Sequence, residues 1–311
     1  MRKDDKFHLI WKSINTSDVK LSVSSLCKMA GVSRSGYYQW LSRAEARAAR
    51  EAKDRADFGL ILEAYNHRGY DKGCRGIYMR LLRLDVRMNV KKIRRLMRLY
   101  NLYCTVRKAN PYRQRAKASD EVYVVPNALK REFLRYGARK VLLTDVTYIK
   151  TNEGFYYLST IIDAYTRQIL AYEVSKSFTT EIAVNTINNL MRDYGDTISN
   201  ETMIHSDQGF QYKSADFVSV LAEYGLKQSM SRKGNCWDNA PQESFFGHMK
   251  DSIRDRLKSC ETLGEVQKII DDWMDFYNNE RYQWQLGGLS PNEYYEYITA
   301  GILPEKLGSL I

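Results

Sequence analysis

Cysteine is scarce in this chain: five residues in 311 (Cys27, Cys74, Cys104, Cys236 and Cys260), odd in number, scattered, and never spaced Cys-x-x-Cys. That argues against a disulfide framework and a cysteine zinc module, and leaves ordinary thiols as the plain reading. The four histidines add no zinc spacing. Proline (5) and glycine (18) are too few for collagen-like or low-complexity classes. No apolar run approaches the roughly 18 residues that a membrane span requires. Met1 to Asp5 is not followed by a signal-peptide apolar stretch, so the expectation is a cytoplasmic chain with no membrane partner. What is not lacking is core-forming material: 44% hydrophobic residues suffice for two domains, one with a core of ordinary size.

Charge of one sign is also unevenly supplied. Residues 1–140 hold 33 Lys and Arg against 13 Asp and Glu, whereas residues 141–311 hold 15 against 24, so a front half at +20 precedes a rear half at −9. A surplus of that size is the footprint of a polyanion binder, because each neutralised phosphate releases condensed counterions. Nucleic acid is the expected partner; a merely soluble basic surface is the plainer alternative.

Along the front half, residues 21–41 read as a short apolar helix, a break at Gly31, and a second helix capped by Ser33, which resembles a helix-turn-helix. Residues 44–57 read as an exposed helical connector, and Glu51 to Tyr65 as the start of a second helical unit. The spacing from Cys74 predicts a helix with Ile77, Leu81 and Leu84 on one stripe. Asn89 caps the next, whose apolar face is Ile93, Leu96, Met97 and Tyr100. Its opposite face carries Lys91, Lys92, Arg94, Arg95 and Arg98, suited to phosphate contacts or to a major groove, with a solvated basic face as the alternative. Arg34, in the second helix of the first unit, is a further candidate DNA contact. A basic stretch with Pro111 and Pro126 then reads as an interdomain linker.

Beyond it the period changes. Residues 141–149 predict a central strand buried on both faces, 155–162 and 168–174 complete a three-strand meander, and Ala183 to Tyr194 is helical. Residues 202–205 and 226–230 add two strands around a helix capped by Ser214 and ended by Gly225. Residues 239–258 read as a helix with Asp238 or Asn239 as cap and Pro241 in its first turn. Thr262 to Glu280 is an amphipathic helix, acidic outside, with Val266, Ile269, Ile270, Trp273 and Tyr277 inside. Ser290 and Glu293 make a capping box for a last helix.

Three carboxylates carry the chemistry. Asp145 interrupts an apolar strand, where a carboxylate is costly unless paired, protonated or bound to a cation. Asp207 follows a strand and precedes Gly209, and Glu243 lies in the first turns of a helix with Lys250 on the same face. Carboxylate oxygens suit Mg²⁺ or Mn²⁺, and two ions about 3.5–4 Å apart can serve phosphoryl transfer. For Asp207 or Glu243 alone, a cap or a surface carboxylate is the plainer reading; the case rests on the set. Trp237, Phe245 and Phe246 read as core, and His205 and Gln208 as supporting hydrogen bonds.

Residues 205–212 (HSDQGFQY), 230–240 (MSRKGNCWDNA) and 243–250 (ESFFGHMK) resemble the catalytic signature of bacterial insertion-sequence transposases. The group is the second-frame product of family three, related to retroviral integrases with a DDE triad that has 35 residues between its last two members, as Asp207 and Glu243 have here. Residues 143–149 (LTDVTYI), 277–281 (YNNER) and 286–294 (LGGLSPNEY) resemble its other motifs, and the helical front half resembles its amino-terminal region; together the likeness covers about residues 20–296. His248-Met249 departs from the more usual Thr-Leu, and residues 1–20 match no motif.

The resemblance implies an RNase H-like α/β catalytic core with a mixed five-stranded sheet, preceded by all-α helix-turn-helix DNA-binding units. It implies a division into residues 1–48, 49–106, a linker at 107–134, a core at 135–260 and a helical tail at 261–311. It further implies Asp145, Asp207 and Glu243 as catalytic ligands of two Mg²⁺ ions, with Mn²⁺ as substitute, and Lys250, Arg232 and Lys233 as DNA contacts. The implied partners are the element's terminal repeats and target DNA, other copies of the chain on paired ends, and an upstream-frame helix-turn-helix and coiled-coil protein; this chain shows no sustained heptad of its own. The setting is the bacterial cytoplasm, at the nucleoid. Two rival functions stay open on the sequence: a non-catalytic DNA-binding regulator of transposition, and an RNase H-like junction nuclease.

Overall fold

The computed structural model describes residue 1 and residues 3–16, 21–70, 73–104, 136–231 and 240–302. The front half is helical: α1 (Lys3–Thr16), α2 (Val23–Ala30), α3 (Arg34–Ser42), α4 (Ala44–Asn66), α5 (Cys74–Arg83) and α6 (Val90–Leu99). The caps are those the sequence predicts. Ser33 accepts from the Gly36 amide, Asn89 from the Lys91 amide, and Gly31 closes α2 in the left-handed region that favours glycine, at φ +65°. Each side-chain cap contributes about 1 kcal/mol.

Two expectations need correction. The connector at 44–57 and the unit starting at Glu51 are one continuous helix, α4, so the expected boundary between residues 48 and 49 falls inside it. Leu84 does not join the α5 stripe: the helix ends at Arg83, and Leu84 turns outward as its cap, 48% exposed, while Ile77 and Leu81 are buried. Residues 1–20, which matched no motif, contain α1, whose Phe7 and Ile10 pack with Cys27 and Tyr37 into a small separate core. The expected linker at 107–134 and the expected caps Asp238 and Asn239 lie outside the described residues, as do Trp237, Arg232 and Lys233.

The rear half is built on β1 (Val141–Lys150), β2 (Phe155–Asp163), β3 (Ile169–Ser175), β4 (Met203–Ser206) and β5 (Lys227–Met230), in sheet order β3-β2-β1-β4-β5. β1, β2 and β3 are antiparallel neighbours, while β4 pairs parallel with both β1 and β5, giving the expected mixed five-stranded sheet. The period of two on β1 sorts the core. Val141, Leu143 and Ile149 share a cluster with α10 (Ala240–Lys258) and α11 (Leu263–Asn279), whereas Leu142 joins α7 (Thr180–Tyr194) and α9 (Ala215–Glu223). Helices thus cover both faces of the sheet. A four-residue helix, α8 (Phe210–Lys213), is too short to announce itself by period, and α12 (Pro291–Thr299) follows the predicted Ser290–Glu293 capping box.

The acidic side of α11 is not simply solvated, a further correction. The turn after α4 sets Arg68 in the left-handed region, and its guanidinium donates to Asp272 (2.8 Å), Asp275 (2.7 Å) and Glu280 (2.7 Å). Tyr70 donates to Asp272, Arg80 reaches Glu280 at 3.5 Å, and Arg83 pairs with Glu293 at 2.7 Å. The basic helical unit α4–α6 is therefore clamped to the acidic end of the sheet domain.

Candidate active site and nucleic-acid interface

The pairing of β1 with β4 places Leu143 opposite His205. Carried on by two residues, that register sets Asp145, midway along β1, beside Asp207, which follows the carboxyl end of β4, on strands about 4.8 Å apart. The alternation that buries Val141 and Leu143 against α10 puts Asp145 on the same face, and α10 carries Glu243 in its first turn. Asp145 accepts from the Val146 amide at 2.8 Å and Asp207 from the Gly209 amide at 2.8 Å.

Electrostatics tie the set together. Burial pushes the Asp145 carboxyl up to about 7, the charges of Asp207 and Glu243 add to that, and the Val146 amide and Lys250 oppose it. Asp207 keeps exposed surface at the strand end, yet burial within the surrounding protein raises its carboxyl too. Beneath them Tyr212 is fully buried; burial, then the charges of Asp145 and Asp207, hold its phenol neutral. Among the described residues no three His, Cys, Asp or Glu side chains close into a ready-made metal cage. The donor chemistry nevertheless fits a hard divalent cation: every acid offers oxygen, and a cation would relieve the repulsion that Asp145 feels from the other two.

Two side chains position this arrangement. Gln242, fully buried, donates through Nε2 to the Thr160 carbonyl (3.3 Å) and to the Thr160 hydroxyl, and Thr160 is the β2 residue directly opposite Asp145. The turn of α10 holding Glu243 is thereby pinned beside Asp145. Lys250 lies half-buried with its ammonium 4.2 Å from the centre of the Tyr148 ring, a cation–π contact that orients it. His205 and Gln208 play the supporting parts expected of them: His205 Nδ1 shares a hydrogen bond with Ser229 (3.0 Å), and Gln208 donates to the Ser231 carbonyl (3.1 Å).

The candidate DNA contacts divide. On α6, Lys92 is paired with Asp57, and Arg95 is held by Asp54 through two bonds of 2.7 and 2.8 Å, so both spend their charge on α4. Lys91, Arg94 and Arg98 stay exposed, as does Arg34 at the start of α3. Arg95 faces Asp54 because α6 packs its apolar stripe onto α4, a long-range pairing with no local signature. Sequence reasoning also missed Gln242 and Thr160. Position 242 is adjacent to an expected ligand, the only signal available, and nothing local distinguishes Thr160 from other strand threonines.

A mixed sheet in this order, with one carboxylate midway along β1, a second just beyond the end of its parallel neighbour β4 and a third on the covering helix, defines the RNase H-like integrase-core class. The chain matches an integrase core domain model over residues 135–236, a second integrase core domain model over residues 224–291, and an HTH-like domain model over residues 51–110. It is 30% identical over 272 residues to the insertion element IS600 uncharacterized 31 kDa protein of Shigella sonnei, covering 87% of this chain and 97% of that one. It is also 30% identical to the putative transposase InsK for insertion sequence element IS150 of Escherichia coli (strain K12), covering 88% and 93%. Transposase InsF for insertion sequence IS3A of the same organism is 29% identical, covering 90% and 96%. Among solved structures, the catalytic core domain of BIV integrase covers 52% of this chain and 98% of its own, at 18% identity and a TM-score of 0.42. The chain belongs to the insertion-sequence transposases of the family to which InsF and InsK belong, as its motifs implied.

Proposed function

We propose that the chain binds the ends of its insertion sequence and catalyses divalent-metal-dependent cleavage and strand transfer. Asp145, Asp207 and Glu243 are the catalytic carboxylates and hold two Mg²⁺ ions, for which Mn²⁺ can substitute. The observation that carries this reading is the field around Asp145, whose carboxyl is raised to about 7 by burial and by Asp207 and Glu243. When bound, the ions supply Lewis acidity toward phosphoryl oxygens.

The protein's own groups do the rest. The rigid pairing of β1 and β4 fixes Asp145 against Asp207, Gln242 holds Glu243 in place, and Lys250 receives a phosphate next to the scissile one. A DNA 3′-hydroxyl attacks that phosphodiester in line: one P–O bond forms, one breaks, and no covalent protein intermediate is needed. Lys91, Arg94, Arg98 and Arg34 contact DNA from the helical units, with Arg232 and Lys233 assigned to substrate from the sequence alone. The working division is residues 1–106 for end binding, as two units joined through α4 rather than parted between residues 48 and 49, with 107–134 as linker, 135–260 as catalytic core and 261–311 as supporting tail. Copies of the chain assemble on paired ends at the bacterial nucleoid, with an upstream-frame protein as partner.

The test is Mg²⁺-dependent nicking and 3′-end joining on a labelled duplex bearing the element's own end. Glu243→Gln keeps size and removes charge, so strand transfer should fall about a hundredfold or more while DNA affinity holds. A variant as active as the parent sinks the assignment of Glu243.

A further inference from the structure

The turn after α4 joins the two halves of the molecule more firmly than a surface ion pair could. Arg68 stands there at φ +56°, a conformation uncommon outside glycine that persists only where its surroundings hold it. What holds it is the sheet domain. Besides its bonds to Asp272, Asp275 and Glu280, the guanidinium donates to the Asp272 carbonyl at 3.4 Å, and the side chain is only 23% exposed. A lone exposed pair contributes little, whereas one planar guanidinium shared among three carboxylates fixes direction as well as distance.

Two tyrosines carry the junction from the surface into both cores. Tyr70, fully buried, belongs to the core cluster of the sheet domain, with its ring centre 4.5 Å from that of Phe276 on α11. In the opposite direction Tyr282, beyond the end of α11, packs against the α4–α6 cluster, with the Arg83 guanidinium 4.9 Å from its ring centre. Each half thus lends the other an aromatic ring, and sliding one past the other would have to withdraw both from close-packed surroundings. The junction also reaches the catalytic helix. Arg256, farther along α10 from Glu243, donates to the Tyr70 hydroxyl at 3.1 Å and to Asp272 at 3.2 Å. The turn after α4, α10 and α11 therefore meet at one carboxylate. Through it, the unit that presents Lys91, Arg94 and Arg98 is braced against the helix that carries Glu243.

We propose that Arg68 is a specificity-determining residue of the reaction. By locking the α4–α6 unit onto α10 and α11, it fixes the distance between the base pairs that the unit binds and the phosphodiester that reaches the carboxylates. The strand is then cut at one position. The inference rests on the end-binding and strand-transfer reading above. Successive phosphates of one strand lie about 3.4 Å apart along the helix axis, so a movement of the unit by that much relative to the carboxylates shifts the cut by one nucleotide. Arg68 touches no substrate; it acts by holding two elements in place.

The experiment uses the full chain and the labelled duplex bearing the element's own end, and reads where the strand is nicked in Mg²⁺ as well as how much. The parent should give one dominant position. Arg68→Ala should shift the product into a ladder of neighbouring positions while the footprint of the helical unit stays the same. Lost stability alone would lower the yield and leave the position where it was. Should Arg68→Ala fail to fold, Asp272→Asn removes the shared charge from the other side of the junction and should give the same ladder. A second readout needs no chemistry. With 5-iodouracil placed one position at a time and the complex irradiated in EDTA, peptide mapping finds the base that lies against Tyr148, which is exposed beside Lys250. One position should dominate in the parent and several in the variants. Nicks and crosslinks that keep their single positions in every variant that folds overturn the proposal. Crosslinks that spread in a chain that never nicks keep the role of Arg68 and remove the strand-transfer reading. Nicks that stay in place keep that reading and remove the role.

Discussion

Gln242 shows how a residue that never touches substrate can set a rate. Its amide bonds to Thr160 span the gap between α10 and β2 at the rung that carries Asp145. Gln242→Ala leaves a buried threonine short of a partner, at a cost of about 1–3 kcal/mol. It also frees the first turn of α10 to shift. Single-turnover strand transfer should fall about tenfold to a hundredfold, since a displacement of about 1 Å is enough for that, with DNA affinity unchanged. A parallel loss of affinity would mean that the residue serves folding alone. At this scale the sequence disclosed the acids and concealed their supports. An aspartate in an apolar strand is anomalous wherever it falls, whereas Gln242 and Thr160 become legible only when a helix and a strand 82 positions apart are brought together.

Among the elements, α11 and the turn after α4 form the junction most open to a solution test. Burial alone would raise the Asp272 carboxyl, but hydrogen bonds from Tyr70, Arg68 and Arg256 outweigh it and hold it at about 2, below the ordinary aspartate value of 3.8. A carboxylate depressed on folding contributes stability that is present above its unfolded pKa and lost as pH falls through the folded one. The junction should therefore weaken between about pH 4 and pH 2. Arg68→Ala should flatten that part of the stability–pH curve, read by urea melts of parent and variant; an unchanged curve rules out the clamp as its source. The elements themselves were largely legible, because caps at Ser33, Asn89 and Ser214 and the alternation on β1 are local signals. α1 and α8 were not read: the first carries only two buried residues and the second is four residues long.

For the whole molecule, the division of charge read from the sequence takes on a structural meaning that composition alone could not supply. The basic front and the acidic rear are partly each other's partner, through Arg68, Arg80 and Arg83 on one side and Asp272, Asp275, Glu280 and Glu293 on the other. On the proposed DNA-binding reading, what remains for DNA is the cationic surface left over. Long-range pairing of this kind follows from the tertiary fold, so it was invisible to a count by halves.

The continuous α4 has a metrical consequence. Its 23 residues, bare to solvent from Ala48 to Lys53, join the α1–α3 unit to the α5–α6 unit without a hinge. At about 1.5 Å per residue it is a rod of about 35 Å, close to one turn of B-form DNA. On the proposed DNA-binding reading, the two units address the same side of the double helix one turn apart, and the rod acts as a vernier for the phase of the terminal repeat. Footprinting should show two protected patches about ten base pairs apart. Inserting two alanines after Ala49 rotates one unit by about 200° about the rod and should abolish joint protection, while seven alanines nearly restore the angle and lengthen the reach. A footprint indifferent to the insert would make α4 a tether instead.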